Sequence, residues 1–198
     1  GDRQEMTDTY AAMADHYRNA GDREKYLLYA AEYANAVAAK DSPTPQEKGR
    51  AAFYRAENHS AAGRDDEAFA AYEEASRFLV DKPALAESFL RMAEIEADRG
   101  NAGNAADHAE KAVSTLPDEY WVMQRAADIY LRLDMPEKAF ELYDRRLLNS
   151  GTPQEEASIN LLMAQAYQRL GDEANYAVRL GRHNDLLASV EGSLRGDE

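Results

Sequence analysis

Five times along the chain a small residue is followed, three positions on, by an aromatic or long side chain and then by a turn near a glycine. The stretches are Ala14-Asp15-His16-Tyr17 before Gly21, Ala56-Glu57-Asn58-His59 before Gly63, Ala93-Glu94-Ile95-Glu96 before Gly100, Ala127-Asp128-Ile129-Tyr130 before Asp134, and Ala164-Gln165-Ala166-Tyr167 before Gly171. The turn residues are therefore 42, 37, 34 and 37 positions apart. A period of this length belongs to stacked helical pairs, each too small to bury its own apolar face. The chain is expected to form a solenoid, its core a continuous spine between neighbouring repeats.

Proline supplies the punctuation. Asp41-Ser42-Pro43-Thr44-Pro45, Asp81-Lys82-Pro83, Pro117-Asp118 and Gly151-Thr152-Pro153 each interrupt an amphipathic run, because proline cannot continue a helix but fits its first turn. The boundaries predict ten helices: 8–20, 23–40, 46–62, 65–80, 83–99, 102–116, 118–133, 136–149, 154–170 and 173–191. Short connections force consecutive helices to run antiparallel. Apolar residues recur three and four apart, as in Tyr10, Met13, Ala14 and Tyr17 or Met123, Ala126, Ala127 and Tyr130, which lines one face of each helix. Ala68, Tyr72 and Ala75, then Ala105, Ala109 and Ala112, answer from the second helices. Tyr26, Tyr29 and Tyr33 read as a core stripe against the first helix.

These residues resemble the tetratricopeptide repeat, a helix-turn-helix unit of about 34 residues. Repeat three carries the pattern in Ala93, Gly100, Ala105, Ala112 and Pro117, repeat four in Ala127, Tyr130, Ala139 and Tyr143, and repeat two in Ala68, Tyr72 and Ala75. His59 and Glu96 stand where the pattern has Tyr, and Tyr26 and Tyr176 where it has a small residue. The resemblance implies an all-α fold, an α-α superhelix or right-handed solenoid of about five repeats. They are placed at 7–42, 46–82, 83–117, 118–152 and 153–191 of a single array over 1–198. The chain is expected to be a piece of a longer protein.

The resemblance also implies that ligands lie on a concave face built from first helices. The position after the central small residue then points into the groove, giving the row Asp15, Glu57, Glu94, Asp128 and Gln165. Phe53, Leu90, Trp121, Leu131 and Leu161 are expected to add apolar footholds beside it, and Asp98, Gln124 and Gln168 further polar groups. Four carboxylates on successive repeats suit an extended ligand with spaced positive charges, since weak contacts along an array sum. A solvated polar row that binds nothing is the plainer alternative, and Arg18, Arg132 and Arg169 lie close enough to neutralise part of it.

The formal charge of −14 argues against nucleic acid and anionic lipid surfaces as partners. No apolar run approaches the roughly 20 residues of a membrane span, so direct insertion is not expected. Cysteine is absent, which removes disulfides and thiolate chemistry. His16, His59, His108 and His183 fall on separate helices, with no pair spaced for zinc. Asp98-Arg99-Gly100-Asn101-Ala102-Gly103-Asn104 lacks the acidic spacing and closing Glu of a calcium loop. No catalytic residue, metal or cofactor is expected. The last helix carries Tyr176, Val178, Leu180, Leu186, Leu187 and Val190, enough apolar surface to continue into a further repeat or to self-associate.

The sequence thus reads as a non-enzymatic interaction scaffold whose partner is another protein or a cationic polymer. Its most concrete form resembles the periplasmic repeat regions of bacterial exopolysaccharide-export proteins, guiding a cationic polysaccharide or docking its processing enzyme. A cytosolic assembly adaptor for a basic protein segment and the sensor domain of a peptide-responsive regulator are the alternatives.

Overall fold

The structure, a computed structural model, describes residues 2–196, and side chains over 3–192. Among these residues there are ten helices and no strand: α1 (Asp2–Asn19), α2 (Arg23–Ala38), α3 (Pro45–Ala61), α4 (Asp65–Phe78), α5 (Lys82–Asp98), α6 (Ala102–Thr115), α7 (Tyr120–Arg132), α8 (Pro136–Leu148), α9 (Pro153–Arg169) and α10 (Glu173–Gly196). None is long and apolar enough to cross a membrane. They divide into two compact units, Gly1–Pro117 with α1 to α6 and Asp118–Glu198 with α7 to α10. The division falls at the boundary expected between repeats three and four. Helix α1 begins six residues earlier than its apolar spacing predicts. The Thr7 and Thr9 hydroxyls donate to the Arg3 and Glu5 carbonyls at 2.7 Å, and Thr7 is buried.

One turn recurs in both units. The residue closing each first helix is left-handed: Gly21, Gly63, Gly100 and Gly171 have φ of 73°, 67°, 77° and 74°, and Asp134 has 57°. The following amide donates back to the carbonyl five residues earlier, Asp22 to Tyr17, Arg64 to His59, Asn101 to Glu96, Met135 to Tyr130 and Asp172 to Tyr167, all at 2.9 to 3.0 Å. This closure satisfies carbonyls that a helix end otherwise orphans. It depends only on backbone, so the side chain at the accepting position is free to be Tyr, His or Glu.

The opposite ends are capped by side chains. Thr44 and Glu47 form a reciprocal capping box at α3, Oγ1 accepting from the Glu47 amide at 3.2 Å and the Glu47 carboxylate from the Thr44 amide at 2.8 Å. Asp22, Asp81 and Thr152 cap α2, α5 and α9 in the single-bond form, each satisfying an amide that the helix start leaves unpaired. Lys40 reaches Glu47 at 2.5 Å with both side chains largely buried, which closes the proline-containing connection between α2 and α3. That ammonium holds the Glu47 carboxyl below its ordinary range.

Within the first unit α1 packs on α2, α2 on α3, α3 on α4, α4 on α5 and α5 on α6. Ala14, Ala30, Ala52, Ala56, Ala68, Ala75, Ala93 and Ala105 are fully buried at the crossings, where a lone methyl lets the backbones approach. The closest approach is at Gly49 in α3, where an added Cβ would lie 2.8 Å from both Leu79 N and the Phe78 carbonyl carbon. Tyr26 and Tyr33 are buried, as the core stripe predicts, while half-buried Tyr29 stacks on Tyr17 with centroids 5.4 Å apart. In the second unit α7 packs on α8, α8 on α9 and α9 on α10, around Val122, Ile129, Tyr143, Ile159 and Met163.

Glu96 shows how the repeat tolerates an acid at an aromatic position. It is only 4% exposed and accepts from Arg99 at 2.7 Å, Asn101 at 2.9 Å and Asn104 at 3.1 Å. Burial raises its pKa, but those donors outweigh burial and hold it below the ordinary value. Arg99 also pairs with Asp66 and lies 5.1 Å from the Phe69 ring.

Candidate functional site

The charged groups of the first unit's first helices gather into a connected surface. On α1, Asp15 accepts from the Tyr54 hydroxyl of α3 at 3.2 Å and lies 3.7 Å from Arg18 and 3.9 Å from Arg50. On α3, half-buried Glu57 accepts from the hydroxyl of Tyr72, which reaches it from α4. On α5, Arg91 Nε lies 2.9 Å from Glu87 and Nη1 lies 3.2 Å from Glu94.

Arg18, Glu57 and Arg91 meet around a cavity of about 180 Å³, also lined by Tyr17, Gly21, Arg23 and Tyr26. Burial pushes the Glu57 carboxyl above its ordinary pKa, and the Tyr72 hydrogen bond only partly offsets this. Burial also raises the Tyr54 and Tyr72 hydroxyls, each beside a carboxylate, so both stay protonated donors. For Arg91, burial works against the charge, but Glu87, Glu94 and Glu57 outweigh it and keep the guanidinium firmly protonated.

The expected row is therefore matched by cations, and sequence reasoning foresaw only some of them. Arg18 sits beside Asp15, and in the second unit Arg169 of α9 pairs with Asp128 of α7 at 3.0 Å. Arg50 and Arg91 were not foreseen. Arg91 stands four residues after Glu87 and three before Glu94, a helical pairing spacing visible in sequence, whereas Arg50 of α3 meets Asp15 of α1 only in the folded chain.

Two expected footholds are core residues. Phe53 is 3% exposed, against Tyr54 and Tyr72 with centroids 6.1 Å apart, and Leu90 is fully buried. Neither is open to a ligand. Asp98 is exposed on α5. On α7, Trp121 and Gln124 are half-buried, as is Leu131, and on α9 Gln165 and Gln168 are exposed while Leu161 is half-buried. Among the described residues no three His, Asp or Glu side chains converge as a metal site would need.

No family model and no curated protein sequence matches the chain. Solved structures do. A kinesin light chain from Podosopora anserina with nearly identical TPR-like repeats is 17% identical, with 92% of this chain and 95% of that one covered and a TM-score of 0.70. BtubC (BKLC) from P. vanneervenii is 18% identical over 93% and 81% of the two chains, with a TM-score of 0.61. The MamA protein is 14% identical over 92% of each chain, with a TM-score of 0.61. At these identities the likeness establishes the fold, which is all-α and of the tetratricopeptide-like helical-repeat class.

Proposed function

We propose that this chain is a non-catalytic interaction scaffold that holds an extended polypeptide segment of mixed charge along the first helices of its first unit. What supports this reading is the alternation of carboxylate and guanidinium on that surface: Asp15 with Arg18 and Arg50, Glu57 with Arg91, and Arg91 with Glu87 and Glu94. A purely acidic row would select for positive charge alone. An alternating surface selects for a pattern of both signs, because a uniform polycation leaves the guanidiniums opposed by like charge. The helical-repeat fold shared with the kinesin light chain and MamA presents such surfaces with little backbone rearrangement, so the ordering cost falls mainly on the ligand.

Guidance of a cationic exopolysaccharide, or docking of its processing enzyme, draws on the same carboxylates and competes with this reading. A selection from random displayed peptides, run beside a titration with glucosamine oligomers, separates them. Enriched peptides carrying both acids and bases, with binding lost in an Arg91→Gln, Glu94→Gln double variant, are expected. Salt-sensitive binding of the oligomers with no peptide enrichment would overturn the polypeptide reading in favour of the polysaccharide.

A further inference from the structure

One cavity in the first unit combines a break in the repeat with an unsatisfied buried group. Five residues after the turn, α4, α6 and α8 carry Ala68, Ala105 and Ala139, whereas α2 carries Tyr26 and α10 carries Tyr176. Its ring is 6% exposed, and its hydroxyl is buried without a hydrogen-bond partner. Buried hydroxyls are normally paired, because leaving one unmade forfeits its hydration. Two other buried tyrosines of this unit obey the rule with one kind of partner: Tyr54 donates to Asp15, and Tyr72 to Glu57. A carboxylate is what Tyr26 lacks.

Around Tyr26 the cavity offers what a carboxylate requires. Arg18, Arg23 and Arg91 line it against the single acid Glu57, with the Gly21 turn at its wall. Arg23 is exposed and makes no ion pair among the described residues, and Arg18 is held only by a 3.7 Å contact with half-buried Asp15. Both can turn inward at little cost. Burial, and secondarily the charge of Glu57, keeps the Tyr26 hydroxyl protonated, hence a donor. Arg91 is already engaged by Glu87 and Glu94, but a cation in this cavity would still face Arg18 and Arg23, and a neutral amide would leave the charge of Arg23 unused.

We infer that this cavity receives the side-chain carboxylate of one Asp or Glu of the bound polypeptide, which accepts hydrogen bonds from the Tyr26 hydroxyl and the Arg23 guanidinium. This rests on the scaffold reading and gives it an anchor. The contact is short and charge-assisted, and the cavity of about 180 Å³ admits one such group beside the flanking arginines.

The test uses the whole chain with ring-carbon-labelled tyrosine, titrated by NMR with N-acetyl-glutamate N-methylamide and with its glutamine analogue. The Tyr26 resonance, identified by its loss in Tyr26→Phe, is expected to shift saturably with the acid and not with the amide. Read at Tyr17, affinity for the acid is expected to fall roughly tenfold in Tyr26→Phe, the loss expected for one hydrogen bond to a charged group. Arg23→Gln, at an exposed position that carries no packing, is expected to weaken it several-fold.

Equal shifts with acid and amide, unsaturable shifts, or unchanged affinity in Tyr26→Phe would overturn the inference. So would inorganic phosphate displacing the acid at lower concentration, which reassigns the cavity to a phosphoryl group. Because the probe is a single capped residue, its failure alongside a successful peptide selection removes the anchor and keeps the scaffold surface. The converse removes the extended surface and keeps the cavity.

Discussion

The two units place an acid at the same repeat position and treat it differently. In the first, Asp15 and Glu57 are answered by tyrosine hydroxyls from the core and flanked by arginines. In the second, Asp128 is answered by Arg169, with both side chains about half exposed. The first arrangement is fixed by packing, since Tyr54 and Tyr72 are almost fully buried, and burying each ring contributes about 2 kcal/mol whatever its hydroxyl does. The second carries a solvent-screened pair, with the buried Tyr143 hydroxyl close enough to feel the charge of Asp128. A repeat position thus sets where an acid points, while its neighbours decide whether it becomes a rigid recognition group or an ordinary surface charge.

The sharpest way to break the contrast is at the glycines. Gly49→Ala in the first unit drives a methyl into the Phe78–Leu79 backbone. The helix-propensity gain of about 1 kcal/mol does not offset that overpacking, so a net loss of about 2 kcal/mol is expected in urea denaturation. Gly151→Ala in the second unit meets only the tip of Glu155 at 3.7 Å, and its midpoint should stay within error of the parent's.

The next effect separates two acids whose pKa values shift in opposite directions, buried Glu96 and half-buried Glu57. Glu96 has a lowered folded pKa, so its stabilising contribution is present above the ordinary glutamate range and disappears as pH falls through the depressed value. Glu96→Gln should cost about 2 kcal/mol near neutrality, with the difference vanishing in acid. Glu57 has a raised folded pKa, so its ionisation costs stability as pH climbs out of the ordinary glutamate range. Glu57→Gln should therefore be neutral in acid and stabilising near neutrality. Parallel denaturation curves over pH that move together for the two variants would refute this assignment.

A smaller effect lies in the turns. Asp134 is a non-glycine residue in the left-handed conformation, so Asp134→Gly should stabilise the second unit by about 1 kcal/mol, visible as a higher melting temperature. An unchanged value would mean that local hydrogen bonding by Asp134 compensates for the strain. Smallest of all, Arg169→Gln should change stability by less than about 1 kcal/mol and less still at high salt. A larger loss would show the second unit's pair to be as structural as the first unit's.

Five hairpins and their turns were legible in the sequence, because each is decided within a few residues: a left-handed turn residue, a cap, a proline. The charge pattern was half legible. Arg91 betrays its partners by helical spacing, and Tyr26 is one of two tyrosines, with Tyr176, at a position that is otherwise alanine. Phe53 and Leu90 were misplaced as groove contacts, because one helical step of about 100° separates a groove residue from a core residue and apolar character fits either side.

By itself, then, the sequence determined the local elements and their repetition, since short-range backbone closure and apolar periodicity need no distant partner. Only the tertiary structure decided that Arg50 meets Asp15, that Tyr72 meets Glu57, and that the Tyr26 hydroxyl meets nothing. Those outcomes depend on how neighbouring helices bring together side chains far apart in sequence. A hydroxyl's partner is a matter of ångströms, and a repeat pattern fixes helix order without fixing that distance.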